Sequence, residues 1–313
     1  MPFYGNENNN VIYGTSGDEY IFGFGGNDTL HGGYGNDTLL GGEGNDVVFG
    51  GWGNDIFYTD RGFDRYHGDV GNDIFYAFNY SGFDLNYIYG GFGWDIVDFS
   101  YAVNSISSNV NNHFLYQVEE IHLSSHNDVV WNTVFGDHIR EIYGQGGDDY
   151  ISQGNDWGIL LDGGTGNDTI YAGTQNDTVI GGAGDDRLGG NAGHDLITGG
   201  SGADMFVFTQ EDDHSGTNGE IWASVADFDA SQGDTIQIRE TTSHSSWGTL
   251  EYIGGSSFDG DGTGQVRVVR DFFNNPLVAN VYIDTDGNGS TDGRIVLTLA
   301  SWFGGPDASD FIL

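Results

Sequence analysis

The sequence predicts an all-β fold of right-handed parallel β-rolls, and two observations lead there. Gly-Asn-Asp returns on a nine-residue period that stays in frame from Gly5 to Tyr76. Each turn is followed by three residues whose central side chain is apolar, the pattern of a very short strand with one face inward. Units begin at Gly5, Gly14, Gly23, Gly32, Gly41, Gly50, Thr59 and Gly68. The middle ones, GGYGNDTLL, GGEGNDVVF and GGWGNDIFY, give the consensus Gly-Gly-x-Gly-Asn-Asp-x-apolar-x.

The turn comes first in each unit. Its glycines admit backbone conformations that a Cβ penalises and so leave carbonyl oxygens pointing inward. The sixth position adds a carboxylate. Stacked turns of carbonyls and carboxylates suit calcium, a hard cation that takes six to eight oxygens, better than magnesium, which requires a tighter octahedron. The strand comes second, and only its centre, the eighth position, enters the roll. Those residues are Ile12, Ile21, Leu30, Leu39, Val48, Phe57, Tyr66 and Phe75, all plainly apolar except Tyr66.

Two units complete one coil, so alternate units stack and build two edges. One carries Asn10, Asp28, Asp46 and Asp64; the other carries Glu19, Asp37, Asp55 and Asp73. Turn carbonyls of Gly32, Gly35, Gly41, Gly44, Gly50 and Gly53 complete the ligand set, with one ion between each pair of stacked turns. Asn10 and Glu19 depart from the consensus, which predicts a weaker first rung. GGFGWDIVD, with Asp95, follows an interruption at 77–89 and closes a first roll at 5–98.

Residues 99–143 hold less glycine and read as an irregular insert, in which His126-Asn127-Asp128-Val129-Val130 resembles a degenerate repeat. The scattered His113, His122, His126 and His138 read as surface residues. A second roll, 144–207, opens with GQGGDDYIS, which carries Asp149, and runs uninterrupted from Gly163 to Val207. Its edges are Asp168, Asp186 and Asp204 on one side and Asp177 and Asp195 on the other, with the carbonyls of Gly163, Gly166, Gly181, Gly184, Gly199 and Gly202. One continuous roll is the architectural alternative.

These repeats resemble the RTX (repeats in toxin) family of hemolysin-type calcium-binding proteins over most of residues 5–207. GGSGADMFVF and VADFDASQGDTIQI are similar to the junction that leads into the C-terminal domain of serralysin-type proteins. The resemblance implies a β-sandwich-like domain over 208–313. It also implies that Asp310-Phe311-Ile312-Leu313 is an uncleaved secretion signal read by a type I ABC transporter; a plain strand end is the other reading. Within that domain DTDGNGSTD offers Asp284, Asp286, Asn288 and Asp292 at loop spacings one, three, five and nine, with Gly289 at the sixth place. Position twelve is Ile295 where a calcium loop would have glutamate, so an acidic hairpin turn stands beside the calcium reading.

Charge narrows the function. Forty-seven acidic side chains against 8 basic ones leave a net charge of −39, a self-repulsion that opposes compaction until divalent cations cancel it. About ten sites with dissociation constants near 1 mM, meeting calcium near 10 mM, contribute roughly 1.4 kcal/mol each. The sum, on the order of 14 kcal/mol, matches the stability of a whole domain. The chain is therefore expected to be unfolded at cytosolic calcium and ordered outside the cell. Phosphates and anionic membranes would repel it, so nucleic acid is excluded as a partner. At 14% aromatic residues it is no disordered acidic tail. There is no cysteine, hence no disulfide or thiolate chemistry. The N-terminus has no Sec-type pattern, and no apolar run is long enough to span a bilayer.

Catalysis is not expected. The HExxH of serralysin-like proteases is absent, and the strings nearest to the GxSxG of lipases, Gly14-Thr15-Ser16-Gly17 and Gly199-Gly200-Ser201-Gly202, do not match. One outer sheet of the first roll shows Tyr20 and Phe22, Thr38 and Leu40, Ile56 and Tyr58, Ile74 and Tyr76, an apolar ladder that needs a cover. Either the rest of the chain or another molecule would supply it, the latter giving a homo-oligomer or filament. The opposite sheet, with Thr29, His31, Arg65 and His67, reads as more polar, interrupted by Val47 and Phe49. Two functions follow. In the first, the chain is a secreted, non-catalytic calcium-binding protein of the cell surface or matrix. In the second, it is the C-terminal secretion and folding module of an RTX enzyme. The initial Met, with the repeats starting almost at once, favours the first.

Overall fold

Turns that glycine keeps tight, each followed by a three-residue apolar segment, give short strands that can pair only with the equivalent strand one coil away. The computed structural model describes residues 2–78, 86–106, 113–131, 138–153, 157–209, 221–239, 251–252, 265–270, 277–284, 293–299 and 310–312. The described residues contain no α-helix. Two units separate at Met1–Tyr150 and Ile151–Leu313.

In the first unit one sheet runs Pro2–Asn6, Tyr20–Gly25, Thr38–Glu43, Ile56–Tyr58, Ile74–Tyr76, Ile96–Asp98, Glu120–His122 and Glu141–Tyr143 in spatial order. The other runs Val11–Tyr13, Thr29–Tyr34, Val47–Trp52, Arg65–Val70, Asn86–Phe92 and His113–Tyr116. Pairing is parallel throughout, with Tyr20 opposite Thr38, Thr38 opposite Ile56 and Ile56 opposite Ile74. The eighth-position residues from Ile21 to Phe75, Tyr66 included, are 0% exposed, and Phe57 stacks on Phe75 at 4.5 Å. Each such side chain contributes about 1.5–3 kcal/mol by leaving water. Ile12, near the end of the stack, is only partly covered.

Residues 99–143 depart from the expectation of an irregular insert. Glu120–His122 pairs in parallel with Ile96–Asp98 and then with Glu141–Tyr143, while His113–Tyr116 pairs with Asn86–Phe92. Leu115, Ile121, Val130 and Ile142 are buried. The ladder therefore continues through this segment with coils of unequal length. Sequence periodicity breaks where turns lengthen, yet backbone hydrogen bonding keeps its register. His126 and His138 are exposed as expected, and His122 is held 2.6 Å from Glu120.

The outer faces also differ from the reading by residue type. On the first sheet Tyr20 is exposed, and Phe22, Leu40, Tyr58 and Tyr76 are half-buried. On the second, read as more polar, Tyr13, His31, Phe49, His67, Tyr89 and Tyr116 form one face-to-face column with centroid spacings of 4.7, 4.8, 4.8, 4.7 and 4.9 Å.

The second unit repeats the architecture. Leu160–Thr165, Thr178–Ala183 and Asp195–Ser201 pair in parallel on one side, and Thr169–Tyr171, Arg187–Gly189 and Met205–Thr209 on the other. Leu161, Ile170, Val179, Leu188, Ile197 and Phe206 are 0% exposed. Beyond residue 207 the described strands join these same two sheets. Ile221–Phe228 adds to Asp195–Ser201 and Thr235–Arg239 to Met205–Thr209, both in parallel. Gly293–Leu299 pairs with Ile221–Phe228, and Val278–Asp284 and Gln265–Arg270 extend the sheet antiparallel. Phe311–Ile312 pairs in parallel with the strand Thr235–Arg239. Asp284 ends a strand; Asp286, Asn288 and Asp292 lie outside the described residues.

Candidate metal centre

The fifth and sixth residues of each turn form two hydrogen-bond ladders of opposite direction. At the fifth position the side chain accepts from the backbone of the next coil: Asn27 N–H donates to Asn9 Oδ1 at 2.9 Å, Asn45 to Asn27 at 3.0 Å, and Asn54 to Asn36 at 2.8 Å. At the sixth position the carboxylate accepts from the preceding coil. Asp28 N–H donates to Asp46 Oδ1 at 2.7 Å and Asp46 N–H to Asp64 Oδ1 at 2.8 Å. On the other edge Glu19, Asp37, Asp55 and Asp73 donate in turn to Oδ1 of Asp37, Asp55, Asp73 and Asp95, at 2.7–2.8 Å. In the second unit Asp186 N–H reaches Asp204 Oδ1 at 3.0 Å and Asp177 N–H reaches Asp195 Oδ1 at 2.9 Å.

In most of these carboxylates one oxygen is thereby satisfied, and in eight of them the other has no donor. Oδ2 of Asp28, Asp37, Asp46, Asp55, Asp73, Asp95, Asp186 and Asp204 is buried without a donor, although the residues themselves are at most 2% exposed. A buried anionic oxygen with no partner is expensive. The glycine at position one shows what surrounds it. A Cβ on Gly23 would overlap both Asp28 Oδ2 and the Gly41 carbonyl, and one on Gly32 would overlap Asp37 Oδ2 and the Gly50 carbonyl. Gly163 and Gly181 repeat this with Asp168 and Asp186, facing the carbonyls of Gly181 and Gly199. Carboxylate and carbonyl oxygens thus face a cradle that only glycine keeps open. All are hard acceptors, so a cation completes them, and calcium fits this donor set.

Without a cation a proton is the remaining partner. Burial first, then neighbouring carboxylates, pushes Asp55 up to about 7, Asp73 to about 8 and Asp204 to about 7. Burial likewise raises Asp37, Asp46, Asp95, Asp177 and Asp186 to about 6.

The structure places every sequence-predicted aspartate of the two rolls on these ladders: Asp149 accepts from Asp128 N–H at 2.7 Å, and Asp168 donates to Asp186 at 2.8 Å. Besides Asp64, whose Oδ2 takes the Tyr66 hydroxyl at 3.4 Å, three positions are already satisfied by the chain. The Asn10 amide oxygen takes the Asn6 N–H, the Glu19 carboxylate takes the Thr15 N–H and hydroxyl, and Asp177 takes the N–H groups of Ile159 and Gly173. The first rung is thus poorer in free oxygens. Asn86, Glu119, Asp128 and Asp234 extend the ladders and were not assigned from sequence. Their spacings from the preceding rung are 22, 24, 22 and 30 residues, where the regular coil has 18. Asp60, also unassigned, brings a carboxylate oxygen within 4.8 Å of oxygens of Asp46 and Asp64.

The family model described as RTX calcium-binding nonapeptide repeat (4 copies) matches residues 4–39, 31–66, 160–188, 173–206 and 181–214. No curated protein matches the chain. The matched stretches contain Asp28, Asp37, Asp46, Asp55, Asp186 and Asp204, whose Oδ2 atoms face the glycine cradles. Residues 4–66 and 160–214 are therefore RTX calcium-binding nonapeptide repeats, and calcium is the ion that their stacked edges bind.

Proposed function

We propose that this chain is a secreted, non-catalytic protein that folds on meeting extracellular calcium and then assembles or adheres at the cell surface or in the matrix. The observation that carries the reading is the column of buried, donor-less Oδ2 atoms in a chain of net charge −39. A chain that cannot close its coils at cytosolic calcium stays extended, which is the state an ABC transporter can thread. In that state the terminal Asp310-Phe311-Ile312-Leu313 is not held by its strand pairing and can be read as an export signal. The regular acidic side chains are committed to ladders and cradles, which supports a role without catalysis. The exposed Tyr20, Tyr34, Trp52 and Phe92 support adhesion or self-assembly.

Export is tested by deleting residues 310–313: retention in the cell is expected, and undiminished export would reduce the tail to a strand end. Assembly is tested by light scattering at calcium near 10 mM, a concentration at which millimolar extracellular modules saturate. Particles larger than a monomer are expected, and a monodisperse monomer would remove the assembly part.

A further inference from the structure

Tyr66 and Asp60 both depart from the repeat consensus of the first roll. Tyr66 is the one polar residue in the inward column from Ile21 to Phe75, and it is fully buried. Its hydroxyl lies 3.3 Å from Asp60 Oδ1 and 3.4 Å from Asp64 Oδ2. Asp60 stands at the second position of its turn, where the preceding turn on that edge has Gly42. Its Oδ2 accepts the Gly42 N–H, which draws the carboxylate towards the coil below. There it meets Asp46 and Asp64, the only set of three acidic or histidine side chains among the described residues whose ligand atoms all lie within 4.8 Å of one another.

Acidic residues alone do not make a site, but here a separate observation points to a ligand. Asp46 is 1% exposed, and its Oδ2 has no hydrogen-bond donor. A Cβ on Gly41 would overlap that same oxygen, so the space before it is kept free by glycine. The neighbouring levels, Asp28 with Asp46, Asp37 with Asp55 and Asp55 with Asp73, each offer two sixth-position carboxylates. Affinity for calcium is tuned by the number of charged ligands.

We propose that the level framed by Asp46 and Asp64 is a cation site unlike its neighbours, in which Asp60 supplies a third carboxylate and Tyr66 anchors the pair. It binds calcium more tightly than any other level of the first roll, and it favours a trivalent lanthanide over calcium. The inference rests on the calcium reading of the roll and adds to it a ranking of sites. Because this level is occupied first, it is the point from which the remaining coils order.

The test is a calorimetric titration of the full chain with calcium, and separately with terbium, against three variants. Asp60→Asn keeps an acceptor for the Gly42 N–H and removes the charge. Asp60→Gly restores the repeat consensus and guards against misfolding of the first variant. Asp69→Asn removes a charge at the second position of the next unit. In the parent chain, one site should stand apart from the rest in affinity. Both Asp60 variants should lose that class, with its dissociation constant rising about tenfold or more, and should lose its terbium preference, while Asp69→Asn keeps both. A parent chain that binds calcium, with Asp60 variants that titrate identically to it, would overturn the proposal and leave the roll intact. A parent chain that binds no calcium would overturn the roll reading itself.

Discussion

At the scale of single residues the sixth-position aspartate behaves as an acceptor with two fates for one oxygen: a cation or a proton. This sets the direction of two pH effects. In the metal-free fold Asp55, Asp73 and Asp204 hold protons up to about pH 7, 8 and 7, whereas in the unfolded chain they lose them near the ordinary carboxylate value of 3.8. Between these limits the folded state binds more protons, so its stability falls as pH rises through that window and is fully retained only below it. In excess chelator, circular dichroism should therefore report more β-structure at pH 5 than at pH 8.5. Calcium competes for the same oxygen, so apparent calcium affinity should move the other way and be higher at pH 8.5. Order in chelator that increases with pH would contradict this assignment of the oxygens. A substitution argues the same point sterically. A Cβ on Gly50 would overlap Asp55 Oδ2 and the Phe57 ring, so Gly50→Ala should raise the calcium midpoint for folding several-fold and cost about 1–3 kcal/mol at saturating calcium. An unchanged midpoint would show that the cradle is not where the ion sits.

At the scale of elements the roll is held by repetition, and its least expected part is the six-ring column on the second sheet. Parallel in-register strands lie about 4.8 Å apart, which is also the separation of the rings from Tyr13 to Tyr116. Burial holds the His67 imidazole below its ordinary pKa, which keeps the ring neutral between Phe49 and Tyr89. Phe49 stands in the middle of three adjacent strands, between His31 and His67, so Phe49→Ala removes two stacked contacts together with part of the ring's burial. A loss of about 1–3 kcal/mol is expected, read as a lower urea midpoint in saturating calcium. An unshifted midpoint would mean that the column is decoration on a fold held elsewhere. This column also marks a limit of what the sequence discloses. Residue types alone class His31 and His67 as polar, and only the register shows that their planes continue a stack. The regular coils were legible because every turn has the same length, so Asp28, Asp46 and Asp64 stand in phase. Asn86, Glu119 and Asp234 were not, because turns can lengthen without disturbing the backbone bonds on either side, and Asp128 showed only as part of a degenerate repeat. The strands Ile221–Phe228, Thr235–Arg239 and Phe311–Ile312 follow the same rule, since long connections hide the parallel pairing that they retain, whereas Val278–Asp284 and Gln265–Arg270 pair antiparallel.

At the scale of the whole molecule two explanations of calcium dependence have to be separated. A chain of net charge −39 with only 8 basic side chains repels itself, and any salt relieves that repulsion; at 1 M the screening length is about 3 Å. The stacked Oδ2 atoms impose a different requirement, since screening supplies no partner to an oxygen buried without a donor. If repulsion dominated, 1 M sodium chloride in excess chelator would restore the β-spectrum as well as calcium does. If coordination dominates, as the cradles indicate, high salt should leave the metal-free chain largely disordered at pH 7.5. Millimolar calcium should then restore it cooperatively, because each occupied level presents an ordered edge to the next coil. The contribution per site, roughly 1.4 kcal/mol at ten times a millimolar dissociation constant, is too small to order one coil alone. Many levels filled together reach the stability of a domain. Refolding in salt without calcium would place the cause in the charge of the whole chain, and failure to refold there, followed by recovery on adding calcium, would place it in the ladders.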